Sequence, residues 1–390
     1  MSESSKPMVE NQRRRLTVGR GHGSAPDEAL AALAAAPNGR IEEFGLQNIF
    51  EQAATQGKRA AALFSVTDKD MKRKRSFAEK DEEVLFNSLF SDEKACKDWV
   101  HDNRVAYKCH KGLKPESPNQ DSFSIVIVED DFALYSVLDG HGPLGHDVSD
   151  LCRGRVVKEF MQRREQGLPP PDALKGAFES NQQELEVLND SKRLDSSMSG
   201  TTCTVAYHDI AGKVLYLAHV GDSRAIISAA GNHREVEDLS VDHKPNLPEE
   251  KRRIESKGGR VVFDGFYNHR VFAQAGMYPG LNMSRALGDV IGHHEAGLSA
   301  EPDVKEVPLT SEGCPRLLLL CTDGVWEFIE SKDAMRLALS GKTPSDISPE
   351  DMNKHLSRIT KASWDQWMQD SDQEISDDIT GIAVAITCVD

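Results

Sequence analysis

Short apolar runs joined by tight turns constrain this chain more than any other feature. Residues 123–128 and 132–138 flank Glu129-Asp130-Asp131, and 202–207 and 214–220 flank a turn around Ala211-Gly212. A further run, 225–228, follows Gly221-Asp222 and leads into the turn Ala230-Gly231-Asn232. Strands connected this tightly must pair antiparallel, because a parallel pair needs a crossover of about a dozen residues or more. Stretches with helical spacing, 148–166, 172–188, 249–257 and 349–368, fall in blocks between the hairpins rather than after every strand. In the last of them, Trp364, Trp367 and Met368 share one face and are expected in the core. The order predicts an α+β protein built on antiparallel sheets, not a doubly wound parallel sheet.

The apolar runs repeatedly meet aspartates. Residues 134–138 end in Asp139-Gly140-His141-Gly142, and 317–321 end in Thr322-Asp323-Gly324. Asn119-Gln120-Asp121 precedes one strand, Asp377-Asp378 precedes another at 382–386, and Gly221-Asp222-Ser223-Arg224 joins two. Acids placed this way converge at one edge of a sheet core. Close carboxylates raise one another's pKa, and a hard divalent cation removes the conflict. Such a cation takes carboxylates, a backbone carbonyl and waters, and glycine after the acid, at 140 and 324, lets the backbone approach it. A single Asp-Gly pair is only a turn former. Five acidic motifs, each beside an apolar run, favour a metal site.

Composition narrows the function. The chain has 47 Lys and Arg against 63 Asp and Glu, a net charge of -16, which argues against broad nucleic-acid binding. Its 7 cysteines are odd in number and form no C-x-x-C pair, so neither a disulfide framework nor a zinc cage is expected. Several sit in apolar runs and read as small core residues, and a reducing, intracellular compartment is the simplest setting. No run is long enough to span a membrane, and the opening Met1-Ser2-Glu3 has neither a signal-peptide core nor a myristoylation glycine.

Three segments are expected: a disordered basic tail at 1–27, a partly helical extension at 28–102, and a main domain at 103–390. Within the extension, 27–35 reads as a helix capped by Asp27. Residues 80–99 have helical spacing, with Val84, Leu85, Leu89 and Phe90 on one face. Arg13-Arg14-Arg15 and Lys72-Arg73-Lys74-Arg75 read as solvated charge runs, and the second also fits a nuclear localisation signal. The hydroxyl residues after them, Thr17 and Ser76, are candidate phosphorylation sites. His293-His294-Glu295 lacks a helical ligand pair and is expected to be a surface loop.

Taken in order, eight segments resemble the PPM, or type 2C, family of metal-dependent protein serine/threonine phosphatases. They are Asn119-Gln120-Asp121, Val137 through Gly142, Ser199-Gly200-Thr201-Thr202, Val220 through Ala225, Asp242-His243-Lys244-Pro245, Ser284 through Asp289, Thr322 through Trp326, and Asp377 through Thr380. The Gly142-Pro143-Leu144-Gly145-His146 stretch is most similar to plant and protozoan members. The resemblance implies a sandwich of two antiparallel β-sheets flanked by helices, with two Mg2+ or Mn2+ ions at one end. It implies Asp139 bridging the ions, the Gly140 carbonyl on one of them, Asp323 and Asp377 on the other, and Asp121 anchoring bound waters. Asp222 and Asp289 resemble the residues of an extra, weaker metal site, and 260–283 a variable flap beside the active site.

The implied reaction is hydrolysis of phosphoserine and phosphothreonine in proteins. Two metals about 3.5–4 Å apart would prime a water for in-line attack on phosphorus, with no phosphoenzyme. His141 is the candidate general acid for the leaving alkoxide, with orientation of Asp139 as its alternative role. Where many members carry a phosphate-gripping arginine, this chain offers Lys111 and Lys114, which lack the bidentate fork. Gln120 replaces a common glutamate. A pseudophosphatase that keeps the fold as a binding module, and a hydrolase of small phosphate esters, are the competing expectations. A monomer in the cytoplasm, with the nucleus as a second location, is the default.

Overall fold

The computed structural model describes residues 41–67, 77–114, 117–310 and 315–387. The expected basic tail, the helix at 27–35, the runs at 13–15 and 72–75, Thr17, Ser76, Cys314 and Cys388 lie outside the described residues.

Two antiparallel sheets face each other. The first runs in the order β15 (Asp303–Pro308), β8 (Val214–Val220), β7 (Cys203–Asp209), β5 (Phe132–His141), β4 (Asp121–Val128), β1 (Ala60–Ser65) and β2 (Glu82–Phe86). Two short strands, β6 (Gly200–Thr201) and β14 (Leu287–Gly288), attach at the end of β5. The second sheet runs β10 (Asn232–Asp238), β9 (Arg224–Ala229), β16 (Arg316–Cys321), β17 (Ile379–Ile386) and β3 (Val105–His110). Between them lies one apolar layer that includes Phe123, Ile125, Val137, Leu217, Leu318, Leu320 and Ile382. Residues facing the opposite way along the same strands, such as Leu134, Leu138 and Val205, pack under helices, as the period of two along a strand requires.

Helices cover both outer faces. On the first sheet lie α1 (Gln47–Thr55), α3 (Gly145–Glu165) and α4 (Pro170–Asp190), which bury Phe50, Val156, Phe160 and Phe178. On the second lie α7 (Asp323–Trp326), α8 (Ser331–Leu339) and α9 (Pro349–Asp370), over Leu317, Leu319 and Ala383. Trp364 and Trp367 are half-buried against this outer core rather than inside it. Cys96, Cys109, Cys152, Cys203 and Cys321 are free and buried. The flap is a separate three-stranded sheet, β11 (Gly259–Phe263), β12 (His269–Ala273) and β13 (Pro279–Leu281), entered through α5 (Pro248–Ser256).

The stretch before residue 103 is woven into this architecture. β1 pairs with both β2 and β4, from Ala60↔Val128 to Phe64↔Ser124, and α2 (Glu93–Asp102) packs beside β2. The expected boundary at 103 therefore falls between two strands of one sandwich. The helix expected over 80–99 divides: Glu82–Phe86 is a strand, and α2 begins only after Asp92, whose side chain accepts from Ala95 N–H at 2.8 Å. Tertiary pairing with β1 outweighs the local spacing of Val84 and Leu85, and a good N-cap resets the chain into helix. His293-His294-Glu295 likewise lies in a short helix, α6 (Val290–Glu295), not in a loop.

Candidate metal centre

One end of the sandwich collects the acids from both sheets. Asp121 opens β4 and pairs across the ladder with Asp139, near the end of β5. From the second sheet, Asp323 begins α7 directly after β16, and Asp377 and Asp378 lead into β17. Because β16 and β17 are neighbours in register, with Cys321 opposite Gly381, their acidic ends meet. The carboxyl groups of Asp139 and Asp323 lie within hydrogen-bonding reach of each other.

Hydrogen bonds hold this edge rigid. The Asp139 N–H donates to Thr202 Oγ1 at 2.9 Å, and that hydroxyl meets Ser223 Oγ at 2.6 Å. Thr322 Oγ1 donates to Asp121 Oδ2 at 2.8 Å, tying the second sheet to the first. Asp378 accepts from the backbone N–H groups of Gly112 at 2.6 Å and Gln120 at 2.9 Å. A side chain at Gly140 would collide with the carbonyl oxygens of Gly145 and Gln120, and one at Gly324 with that of Asp378. The two glycines therefore serve backbone crowding around the acids.

The electrostatics are unfavourable for the protein alone. Burial, followed by the charges of Asp323, Asp121 and Asp377, pushes the Asp139 carboxyl well above its ordinary range. Burial and Asp378 do the same to Asp121, against hydrogen bonds from Thr380 and Thr322. Asp121 Oδ1 is buried without a hydrogen-bond partner among the described residues. Buried carboxylates of one sign, one with an oxygen still to be satisfied, form a donor set suited to a hard cation.

The acidic group is open: among the described residues, its oxygens do not gather three at a time within 4.8 Å. That spacing suits an ion that keeps several waters. The group that does gather so closely is His219, His243 and Asp303. It is a poor cation site. The Gly221 N–H donates to His243 Nδ1 at 3.1 Å, so the ring proton sits on Nε2 and points at Asp303 Oδ2, 3.3 Å away. The His219 and His243 rings are stacked at 4.4 Å and 7°, which keeps their lone pairs from converging.

The remaining expected residues have definite partners. His141 Nε2 meets Asp289 Oδ2 at 2.6 Å, and Lys244 Nζ meets Asp222 Oδ2 at 2.5 Å. Asp222 and Asp289, expected together at an extra metal site, are thus each engaged by a side-chain nitrogen. Lys111 is buried, its ammonium donating to the Lys114 carbonyl at 2.8 Å. Lys114 pairs with Asp377 and is a quarter exposed. Asp378, Thr322, Thr202 and Lys244, which also hold this edge, lie in the quoted segments but were not among the expected site residues. Their positions inside or beside the acidic motifs were the available signal.

Comparison with known proteins agrees with this architecture. A family model described as Protein phosphatase 2C matches residues 116–363. The chain is 30% identical over 303 residues to probable protein phosphatase 2C 35 of Arabidopsis thaliana, covering 71% of this chain and 82% of the relative. It is 32% identical over 240 residues to protein phosphatase 2C 1 of Paramecium tetraurelia, covering 57% and 73%. In structure it is similar to the serine-threonine phosphatase 2C of Toxoplasma gondii, with a TM-score of 0.57 at 22% identity, covering 72% of this chain and 94% of the other.

Proposed function

Because this chain belongs to the protein phosphatase 2C family, we propose that it hydrolyses phosphoserine and phosphothreonine in proteins, with hard divalent cations held at the strand-end aspartates. The observation that carries this reading is the gathering of Asp121, Asp139, Asp323 and Asp377 at one end of the sandwich, where burial first and then the neighbouring acids raise the Asp139 carboxyl. No fold gains stability from that arrangement without a counter-charge.

Asp139, the Gly140 carbonyl, Asp323 and Asp377 are the direct ligands in this reading, with Asp121 behind them. Two Mg2+ or Mn2+ ions are the expected complement, with a third weaker one near Asp222 and Asp289. Bound there, such ions supply a water acidic enough to attack near neutral pH and positive charge to offset the phosphoryl oxygens. The chain's own groups do the rest. Thr322 and Thr202 orient Asp121 and the Asp139 backbone. Asp289 holds the His141 ring, which donates a proton to the departing serine or threonine oxygen. Lys114, at the rim, is better placed than the inward-turned Lys111 to meet the substrate phosphate.

The test is turnover of p-nitrophenyl phosphate and a phosphothreonine peptide with Mn2+ or with chelator. Metal-dependent hydrolysis of the peptide, lost in Asp139→Asn, is expected. Turnover indifferent to chelator would overturn the mechanism. Binding of phosphoprotein with no turnover would establish the pseudophosphatase, and turnover confined to small esters a different substrate class.

A further inference from the structure

Lys80 is 2% exposed, although it lies well before residue 116, where the family match begins. Residues 77–80 run along the end of β3: Phe77 N–H donates to the Lys111 carbonyl at 2.7 Å, Lys111 N–H to Ala78 at 2.9 Å, and Lys80 N–H to Cys109 at 2.8 Å. From that backbone position on the second sheet, the side chain crosses to the first. Its ammonium donates to the Asp121 carbonyl at 2.5 Å and reaches Ser122 Oγ at 3.4 Å.

The reason lies in the edge of β4. Its pairing with β1 ends at Phe64↔Ser124, short of the acidic end. Beyond that point the backbone groups that would face β1 need other partners. Phe123 N–H finds Ser65 Oγ at 2.9 Å, and Asp121 N–H finds Asn119 Oδ1 at 2.9 Å. The Asp121 carbonyl finds Lys80. A lysine with this little exposure is rare unless it is paired, and here it takes the place of a missing strand at the residue whose carboxyl Thr322 anchors from the opposite sheet.

We propose that Lys80 is a positioning residue for the metal centre: its ammonium fixes the peptide of Asp121, so that affinity for divalent cations depends on the segment preceding the family module. The proposal rests on the reading of Asp121 as part of that centre. Rotation of the Asp121 peptide would swing its carboxyl away from Thr322. Asp121 is in this reading an outer partner of the direct ligands, and displacing such a partner typically lowers metal affinity about 10–100-fold.

The experiment is Mn2+ binding to the full chain by calorimetry, below the unfolding range, with the melting temperature recorded in parallel. Lys80→Met is expected to weaken Mn2+ binding about tenfold or more, and Lys80→Arg to restore most of it. Leu85→Ala, a core change in β2 of the same segment, is expected to lower the melting temperature while keeping wild-type Mn2+ affinity. Should Lys80→Met fail to fold, Lys80→Gln is held to the same tenfold criterion. A dissociation constant within about twofold of wild type overturns the proposal. So does an equal loss in Leu85→Ala, which would mean general loosening. If the wild-type chain itself binds no Mn2+, the metal reading of the site fails, a result distinct from failure of the Lys80 role.

Discussion

Among the described residues, two settings of buried carboxylates contrast, the acidic strand ends and Glu250 at the base of the flap. At the flap base, Glu250 receives Arg285 at 2.7 Å, Arg253 at 2.6 Å and Ser284 Oγ at 2.5 Å. Burial would raise its pKa, but these donors outweigh burial and hold it down to about 2. Asp303, an exposed neighbour bonded to His243 and Arg285, is also held below the usual range. At the strand ends, burial and neighbouring acids push Asp139 the other way. Lysines stand at the margin there, Lys114 on Asp377 and Lys244 on Asp222, without reversing that direction. The fold supplies arginines to Glu250 and leaves Asp139 among other acids, the contrast on which the proposed metal role rests.

The largest expected effect is that of Asp139→Asn. Hydrolysis should fall to the chelator-treated level, while the metal-free fold keeps or gains stability, by about 1 kcal/mol per pKa unit of relieved repulsion. Activity assays with urea unfolding check both halves. A clear loss of metal-free stability would break the comparison, because Asp139 would then be a paired group like Glu250. Next, Mn2+ at about 100 times its dissociation constant should stabilise the wild-type chain by about 2.7 kcal/mol. The gain should be larger at pH 8 than at pH 6, because protons compete for carboxyls of raised pKa. Differential scanning fluorimetry at the two pH values reads it.

Glu250→Gln should cost roughly 2 kcal/mol in urea unfolding, less than for a fully buried pair because its arginine partners are partly exposed. The remaining activity should keep its metal dependence. The sign with pH follows from the depressed value. The stabilisation is complete above the ordinary carboxylate range, near about 4.3, and disappears as pH falls through about 2. Wild type and Glu250→Gln should therefore differ at pH 6 and converge in acid. Smallest, Lys114→Ala should raise the peptide KM about threefold with little change in kcat, since a rim lysine is a point charge without a fork. Steady-state kinetics resolve it, and an unchanged KM would remove Lys114 from the phosphate site.

Much of this was legible along the chain because it is local. Asp139 and Asp323 stand out as acids that follow apolar runs and precede glycine. The hairpins around 129–131 and 211–212 declare antiparallel pairing through their length alone. Residues 82–86 were not legible, since Val84 and Leu85 fit a helical stripe as well as a strand and only β1 decides between them. Nor was Lys80, one lysine in a charged stretch, until β4 outran β1. The closeness of His219, His243 and Asp303, spread over three segments, appears only once β15 pairs with β8.

By itself, the sequence determined the class of sheet and the strand ends that carry acid. These depend on neighbours within a few residues: turn length, alternation and the side chain after the last apolar position. The tertiary structure alone decided which carboxylates keep company with arginine and which with one another. That choice depends on packing across the two sheets, where low polarity makes each charge's sign matter most.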